Sequence, residues 1–237
     1  MQYKERVPKE LFNQEGHYLG RPADFEDRII QRRLNLLEES ENFMGKEYSL
    51  LDIGCGNGAS ILKLADQMKH CVGFEISEEN KPEFEHYKTL HDITNCEYRV
   101  HDIGVKPASE TFDRIISFEV IEHLESEDAL SNYFLSLKKG GLLAITVPNK
   151  WWIFETHGAN LPLLPWNRIP FFSWLPRFIH ERYANARIYT RSRIVDLLKK
   201  HGFKILSVKY VTAPMDVLPN GKFKDWVIRL FFQSDTT

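Results

Sequence analysis

Short apolar runs alternate with segments of helical period from about Tyr48 onward. The runs predict six strands, at Ser49–Ile53, Cys71–Glu75, Glu97–His101, Asp113–Phe118, Leu142–Val147 and Lys204–Val211. The segments between them predict helices at Ala59–Met68, Glu78–Leu90, Glu125–Leu137 and Arg191–His201. The last helix has an N-cap candidate in Thr190 and a stop signal in Gly202. Strands that alternate with helices are typical of βα units and a mostly parallel sheet.

Two other segments do not follow this alternation. Asp24–Glu39 predicts an amphipathic helix, so we expect residues 1–47 to form an N-terminal helical segment before a main domain at 48–237. Residues 148–185 contain four of the five tryptophans and five of the eleven prolines. Because a structureless loop of this length is unusual in a compact domain, this stretch predicts an inserted lid of short helices and turns.

Composition and charge narrow the class of protein. Apolar residues make up 43% and charged residues 27% of the chain, which indicates a soluble globular protein. The formal charge of −2 offers no basic surface to duplex nucleic acid, so we do not expect that partner. Cys55, Cys71 and Cys96 lack CxxC spacing, which argues against a disulfide framework or zinc knuckle. The first ten residues lack the apolar core of a signal peptide, and no apolar run could cross a bilayer. We therefore expect a reduced, cytoplasmic protein.

The strongest local signal is "LLDIGCGNGAS", residues 50–60, where an apolar strand ends in three alternating glycines and a helix follows. Glycine permits positive φ and lets a ligand approach the backbone. The first turn of the helix offers free amide groups and the positive end of the helix dipole to an anion. The spacing differs from the G-x-G-x-x-G of pyrophosphate-binding dehydrogenases. The motif by itself predicts either a ligand-binding loop or only a tight turn.

Two acidic residues follow at the ends of the next two strands. Glu75 ends the second strand, twenty-one residues after Gly54, where it could accept hydrogen bonds from both hydroxyls of a ribose. Asp102 follows the third strand, where it could accept a hydrogen bond from the amino group of an adenine. Each acid alone is more often a solvated residue at a strand end. The three features in this order together predict a nucleoside-containing ligand.

These motifs as a set resemble the class I S-adenosylmethionine-dependent methyltransferases. "LDIGCGNG" looks like the first motif of that family, "GFEIS" the ribose-binding second and "HDI" the adenine-binding third. "FDRIISFEVIEHL" and "LKKGGLLAITVPN" are similar to the fourth and fifth. The resemblance covers roughly Tyr48 to Leu206 and implies a doubly wound, Rossmann-like α/β fold with a seven-stranded, mostly parallel sheet. The seventh strand would fall at Trp226–Phe232, which could also be a helix.

The resemblance implies S-adenosyl-L-methionine as cofactor and assigns parts of its site to residues of this chain. The methionine part would be held by Asp52, Gly54, Gly56 and Gly58, and closed by Phe118 and Glu119. The ribose and adenine would be held by Glu75, Ile76, Asp102 and Ile103.

The stretch "FEVIEHL" at the end of the fourth strand brings together Glu119, Glu122 and His123. Spacings of three and four would place all three side chains on one side of a helical turn. The pattern is similar to a divalent-metal motif of the ubiquinone-pathway O-methyltransferases and of the small-RNA 2′-O-methyltransferases, which add a further histidine. Oxygen-rich ligation with one imidazole would suit Mg²⁺ or Mn²⁺ better than zinc. Two other interpretations stay open: a metal-free site with His123 as general base and Glu119 facing the cofactor, and a merely solvated Glu122.

The resemblance also bears on the methyl acceptor. Ubiquinone-type enzymes carry an insertion directly after strand five, where residues 148–185 fall. Its aromatic content suits a hydrophobic cover over an acceptor pocket, a small satellite core, or a patch that contacts a membrane surface beside Arg168, Arg177 and Arg182. Histidines that could close the active site are His17, His157 and His180, although a surface or packing role is expected for each one alone.

The leading hypothesis is therefore O-methylation of a small hydrophobic or aromatic acceptor, such as a quinone precursor, lipid or natural product. One alternative is metal-dependent 2′-O-methylation of RNA, which the absence of a histidine-rich cluster in the lid and of a basic RNA-binding domain disfavours. Another is a non-catalytic domain that binds the cofactor and serves as an interaction module. The sequence makes no prediction of an oligomeric state.

Overall fold

The computed structural model describes residues 25–155, 157–160, 165–166 and 169–211. Its centre is a five-stranded sheet of order β3-β2-β1-β4-β5, in which every neighbouring pair is parallel. The strands are Gly45–Ile53 (β1), Met68–Glu75 (β2), Cys96–Val100 (β3), Phe112–Phe118 (β4) and Leu137–Thr146 (β5). The helices are Arg28–Glu38 (α1), Ala59–Leu64 (α2), Lys81–Leu90 (α3), Leu130–Ser136 (α4), Arg177–Tyr183 (α5) and Arg191–Lys200 (α6). The first five predicted strands are confirmed.

Two apolar cores cover the two faces of this sheet. One joins the sheet to α1, α2 and α3, and the other joins it to α4 and α6. The strands carry almost continuous buried runs, as in Leu50–Ile53 of β1, because both faces are covered. The predicted doubly wound α/β fold is confirmed in this part of the chain.

The predicted seven strands are wrong for the residues that the structure describes, where the sheet has five. The sixth was predicted at Lys204–Val211, which belongs to no strand in the structure. An extended segment becomes a strand only when a neighbour satisfies its main-chain hydrogen bonds. The predicted antiparallel neighbour, Trp226–Phe232, lies outside the described residues.

The helix ends follow local signals. Thr190 caps α6 by accepting a hydrogen bond from the Arg193 amide (3.2 Å), and Gly202 after the helix adopts a φ of +90°, as predicted. The predicted helix over Glu125–Leu137 is a 3₁₀ turn, Glu127–Ala129, followed directly by α4.

The N-terminal helix is part of the main core. The face of α1 that carries Ile30, Leu34 and Leu37 is buried against the same cluster as α2 and α3, which confirms the predicted amphipathic helix. The boundary between residues 47 and 48 stays a prediction. None of the described helices is both long enough and apolar enough to span a membrane.

The inserted segment leaves the sheet after β5 and returns to nearly the same point. Its two ends are joined by hydrogen bonds from the Tyr189 amide to the Pro148 carbonyl (2.9 Å) and from the Lys150 amide to the Tyr189 carbonyl (2.9 Å). Its described part contains two antiparallel ladders, a 3₁₀ turn at Phe172–Trp174, and α5. The ladders pair Phe154–Glu155 (β6) with Ile169–Pro170 (β9) and Ala159–Asn160 (β7) with Pro165–Trp166 (β8). We call residues 148–185 the lid segment.

Asp113 joins β1 to β4 at the start of β4 and provides a test of the fold. Its carboxylate accepts hydrogen bonds from the Ser49 amide (2.9 Å), the Ser49 hydroxyl (2.8 Å) and Lys138 Nζ (2.8 Å). Burial alone would raise the pKa of Asp113, but these donors hold it at about 2. A lowered pKa stabilises the fold above the unfolded value near 4, and the contribution is lost as the pH falls from about 4 to about 2.

We therefore expect Asp113→Asn to lower the free energy of unfolding at pH 7 by about 1–2 kcal/mol, after allowance for partial exposure of the carboxylate. The loss should shrink as the pH falls below 4. Urea unfolding of both proteins over a pH series measures it, with the exposed Asp66→Asn as the matched control. An equal loss at pH 7 and pH 3 would contradict the assigned cause.

Candidate active site

The site lies where the strand order reverses. The chain runs outward from β1 through β2 to β3, then crosses to β4 on the other side of β1. In open parallel sheets, ligands bind at the carboxyl ends of the strands beside such a switch point. Here the two loops at that point are the glycine loop, residues 54–58, and the strand-four loop, residues 119–125.

The glycine loop has a backbone that other residues would not readily adopt. Gly54, Gly56 and Gly58 have φ of +72°, +53° and +83°. The amides of Gly54 and Cys55 donate to the Phe74 carbonyl at the end of β2 (2.8 and 3.0 Å). A Cβ atom on Gly54 would lie only 2.4 Å from Cγ2 of Val120 in the strand-four loop. The two loops are thus in direct contact, and glycine is required for that packing.

Glu75 lies against this loop, at the place expected for the ribose-binding acid. Its carboxylate accepts hydrogen bonds from the amides of Gly56 (3.0 Å) and Ile76 (2.9 Å), which tie the glycine loop to the end of β2. Burial raises the pKa of Glu75 above its ordinary value. Asp52, at the end of β1, is almost fully buried, and burial together with the negative charge of Glu75 raises its pKa to about 8. Two acidic groups therefore share a site that a cationic ligand would stabilise.

The other predicted cofactor residues line the same edge of the sheet. Asp102 is exposed, and its Oδ1 accepts a hydrogen bond from the Gly104 amide (2.7 Å), so it also shapes a turn. Ile103 is buried, with its carbonyl held by Asn132 Nδ2 (2.8 Å), whereas Ile76 is partly exposed. Phe118 ends β4 with its ring 5.6 Å from the Arg33 guanidinium.

The strand-four loop is a turn rather than the expected helical turn. Glu119 adopts a left-handed φ of +58°, and its amide donates to the Thr146 carbonyl (3.1 Å) at the end of β5. Its carboxylate contacts Arg33 of α1 (Oε1 to Nη2, 3.3 Å). This carboxylate still lies close enough to Glu122 for its negative charge to raise the pKa of that residue. Arg33, which sequence reasoning missed, brings a cation to this end of the sheet.

Arg187, also missed, holds the strand-four loop from the residues that follow the lid segment. Its amide donates to the Glu122 carbonyl (3.2 Å), and its guanidinium donates to the carbonyls of Leu124 and Glu125, the latter at 2.7 Å. The guanidinium also donates to the Ile121 carbonyl (3.5 Å), so one residue contacts four main-chain carbonyls of the loop. This contact limits the freedom of the neighbouring side chains.

Glu122, His123 and His157 form the cluster with the most distinctive chemistry. One ligand atom from each lies within 4.8 Å of the others. The Glu122 side chain is fully buried, and no hydrogen-bond donor among the described residues reaches either of its carboxylate oxygens. Its Oε1 lies 3.9 Å from His157 Nε2, and the rings of His123 and His157 meet edge to face at 5.1 Å. The interpretation of Glu122 as a solvated residue is wrong, because the turn directs it inward.

The electrostatics of Glu122 follow from this position. Burial raises its pKa well above the ordinary value, and the negative charge of Glu119 raises it further. A buried carboxylate without a hydrogen-bond donor is an unusual and unfavourable arrangement in a folded protein. A bound cation would compensate that charge, which makes this cluster the part of the described chain best suited to a metal ion.

The donor set changes the expected metal. The predicted set of Glu119, Glu122 and His123 stays a prediction; in the structure His157 from the lid segment joins Glu122 and His123, while Glu119 contacts Arg33. Two imidazoles with one carboxylate suit Mn²⁺, Fe²⁺, Co²⁺ or Zn²⁺ better than Mg²⁺, which prefers oxygen ligands.

Comparisons with known proteins show the family to which the chain belongs. Residues 17–208 match the model of the methyltransferase domain family. Because the match covers most of the chain, the protein belongs to that family. The predicted resemblance to S-adenosylmethionine-dependent methyltransferases is confirmed.

Among curated proteins, the ubiquinone biosynthesis O-methyltransferase of Bos taurus mitochondria is 33% identical over 106 residues, which are 43% of this chain and 29% of that protein. The (S)-coclaurine N-methyltransferase of Papaver somniferum is 39% identical over 126 residues, which are 52% of this chain and 34% of that protein. The matched part thus spans only about a third of these relatives, which include both O- and N-methyltransferases.

Solved structures confirm the fold. An S-adenosylmethionine-dependent methyltransferase from Clostridium acetobutylicum superposes with a TM-score of 0.56 at 17% identity, covering 78% of this chain and 83% of that one. Coclaurine N-methyltransferase bound to N-methylheliamine and SAH superposes with a TM-score of 0.52 at 24% identity. The superposition covers 70% of this chain and 47% of that one. At such identities these similarities concern the fold alone.

Proposed function

We propose that the protein transfers the methyl group of S-adenosyl-L-methionine to an oxygen of a small hydrophobic or aromatic acceptor. The observation that carries this proposal is the cluster of Glu122, His123 and His157 at the carboxyl end of β4. It lies beside the glycine loop, which Val120 of the strand-four loop contacts directly. The proposed acceptor hydroxyl would therefore stand between the cofactor and the cluster.

The residues at the carboxyl ends of β1 and β2 suit this cofactor in charge. S-adenosyl-L-methionine carries a sulfonium and an ammonium group, and the acidic pair Asp52 and Glu75 would receive that positive charge. The carboxylate of its methionine part requires a cation, which Arg33 could supply beside Phe118. The carboxylate of Glu75 would accept hydrogen bonds from the ribose hydroxyls and retain those from the amides of Gly56 and Ile76. Asp102 and Ile103 would line the adenine pocket.

Methyl transfer to a hydroxyl requires that the acceptor oxygen is positioned against the methyl group and that the hydroxyl loses its proton. The bound sulfonium supplies a methyl carbon that is already activated for in-line displacement. A phenol or alcohol must lose its proton as it attacks. A divalent cation held by Glu122, His123 and His157 would lower the pKa of that hydroxyl. Without a cation, His123 would accept the proton itself, and Glu119 would face the cofactor.

The lid segment supports a hydrophobic acceptor. Trp151, Phe171, Trp174 and Phe178 are substantially exposed, and the rings of Phe171 and Trp174 meet edge to face at 4.9 Å. Aromatic surface of this kind suits a cover for an apolar acceptor. Contact with a membrane surface through the same rings stays a prediction, which co-sedimentation with lipid vesicles would decide. The cytoplasmic location also stays a prediction.

One observation favours the alternative of RNA 2′-O-methylation. The lid sequence has no histidine-rich cluster, but one lid histidine, His157, lies beside Glu122 and His123. The small-RNA enzymes likewise add a histidine to the Glu-x-x-Glu-His pattern. The net charge of −2 still provides no basic surface for a nucleic acid, so small molecules remain the favoured acceptors.

The proposal predicts methyl transfer that depends on a divalent cation. Purified protein is incubated with methyl-labelled cofactor and either a fractionated metabolite extract or RNA, with and without chelator. We expect the label in an apolar small-molecule fraction. The rate of methyl transfer should fall at least tenfold when the chelator is added, and Mn²⁺ should restore it better than Mg²⁺.

The other outcomes are equally informative. Methyl transfer that the chelator does not slow would favour His123 as the base. A labelled methyl group on a nitrogen atom would contradict the proposed oxygen acceptor and indicate N-methylation. Label in RNA alone would favour 2′-O-methylation. Tight cofactor binding without transfer to any fraction would indicate the non-catalytic module.

A further inference from the structure

The lid segment contains a buried acid–imidazole pair that the proposed chemistry does not use. Glu155 of β6 and His180 of α5 are each almost unexposed, and Glu155 Oε2 lies 2.6 Å from His180 Nε2. The pair therefore places a hydrogen-bonded carboxyl group inside the lid segment.

The second oxygen of this carboxylate is turned toward the cluster. Glu155 Oε1 accepts a hydrogen bond from the His157 amide (3.0 Å) and lies 3.7 Å from His157 Nδ1. On the opposite side of the same ring, His157 Nε2 lies 3.9 Å from Glu122 Oε1. The imidazole thus stands between two carboxylates, with one nitrogen facing each.

We propose that the Glu155–His180 pair positions His157, keeping the proton on Nδ1 so that the lone pair of Nε2 faces Glu122. This inference rests on the proposed function, because it concerns how the same cluster is held. The tautomer of a histidine is set by the group that its other nitrogen contacts, and histidines that bind metals usually donate that second N–H to a carboxylate or carbonyl. Glu155 and His180 are positioning residues, since they act through His157.

A purely structural role would explain less of the geometry. The pair does link β6 to α5, but apolar side chains could do the same without the penalty of burying charge. The other lid carboxylate, Glu181, forms conventional ion pairs with Arg177 (2.9 Å) and Arg193 (2.8 Å). Glu155 instead directs its charge at the one lid histidine that reaches Glu122.

The first test uses the unmodified protein. Long-range ¹H–¹⁵N correlation spectra distinguish the two imidazole tautomers, and the His157 signals are assigned by their loss in His157→Gln. We expect the Nδ1–H tautomer in the protein without added metal. An Nε2–H tautomer at His157 would overturn the proposal, whatever the variants do.

The second test is a double-mutant cycle. Glu155→Gln keeps the size of the side chain and can still accept from the His157 amide. We expect this substitution to raise the Mn²⁺ concentration needed for half-maximal binding by about 10–100-fold. Electron paramagnetic resonance measures the Mn²⁺ binding, and cofactor affinity should stay unchanged. In a His157→Gln background the same change should have no further effect. Glu181→Gln in α5 is the matched control and should leave Mn²⁺ binding unaltered.

The outcomes separate this inference from the proposed function. Independent, additive effects of Glu155→Gln and His157→Gln would indicate a structural role and contradict the positioning role. If Glu155→Gln does not fold, His180→Gln replaces it, with the same expected shift in the tautomer and in Mn²⁺ binding. Tautomer and metal binding are read without turnover, so absence of methyl transfer in the unmodified protein would overturn the proposed function and leave the positioning role standing.

Discussion

Gly54→Ala is expected to weaken S-adenosyl-L-methionine binding strongly. Gly54 has a φ of +72°, and its new Cβ would stand 2.4 Å from Cγ2 of Val120. The backbone conformation costs a residue with a side chain about 1–2 kcal/mol, and the clash adds about 1–3 kcal/mol of strain. Because Val120 belongs to the strand-four loop, relief of the clash must displace both loops. We expect a fall in cofactor affinity of at least tenfold, measured by calorimetry.

The chain offers both a matched control and a rescue. Gly140 in β5 has a φ of +80°, yet nothing lies within 4 Å of an added Cβ, so Gly140→Ala carries the backbone penalty without a clash. It should lower stability by about 1–2 kcal/mol and leave cofactor affinity unchanged. Val120→Ala removes the two methyl carbons nearest to the new Cβ and leaves its own Cβ at 3.4 Å, so it should restore much of the affinity of Gly54→Ala. Equal loss in Gly54→Ala and Gly140→Ala would show that loop contact is not the cause.

The positions of the residues proposed to bind the cofactor could be predicted because their signals are local. The glycine loop, Glu75 and Asp102 each follow directly after an apolar strand, and parallel strands bring their carboxyl ends to one edge. Strand periodicity therefore determines where these residues lie without any knowledge of side-chain contacts. The same reasoning is weaker for Asp102, whose contact with the Gly104 amide depends on the turn that follows.

The cluster proposed to contact the acceptor could not be predicted in the same way. His157 is thirty-four positions after His123, and only the path of the lid segment brings the two rings to 5.1 Å. Spacing predicts that Glu119 lies beside Glu122 and His123, but it gives no sign of the left-handed backbone at position 119 or of the contact with Arg33. Arg33 and Arg187 likewise come from distant segments. Contacts between segments far apart in sequence have no periodic signature in a single chain.

Glu122→Gln is expected to abolish methyl transfer while making the protein more stable. The amide has nearly the shape of the carboxylate but neither its charge nor its affinity for a divalent cation, so we expect turnover and Mn²⁺ binding to fall at least a hundredfold. Cofactor affinity should change little, since Glu122 is not among the residues assigned to the cofactor. Stability should rise because a buried carboxylate without a hydrogen-bond donor among the described residues is costly in the fold.

An increase of about 1 kcal/mol in the free energy of unfolding corresponds to about 2–4 °C in Tm for a chain of this size. The measurements are thermal unfolding without added metal, Mn²⁺ binding, and transfer of labelled methyl. Glu125→Gln, an exposed residue of the same loop, is the matched control and should change none of them. A less stable variant with normal Mn²⁺ binding would mean that Glu122 supports the packing of the loop and is no ligand. Opposite changes in stability and turnover are expected only if the strained carboxylate is retained for chemistry, since a residue kept for packing alone would lose both together.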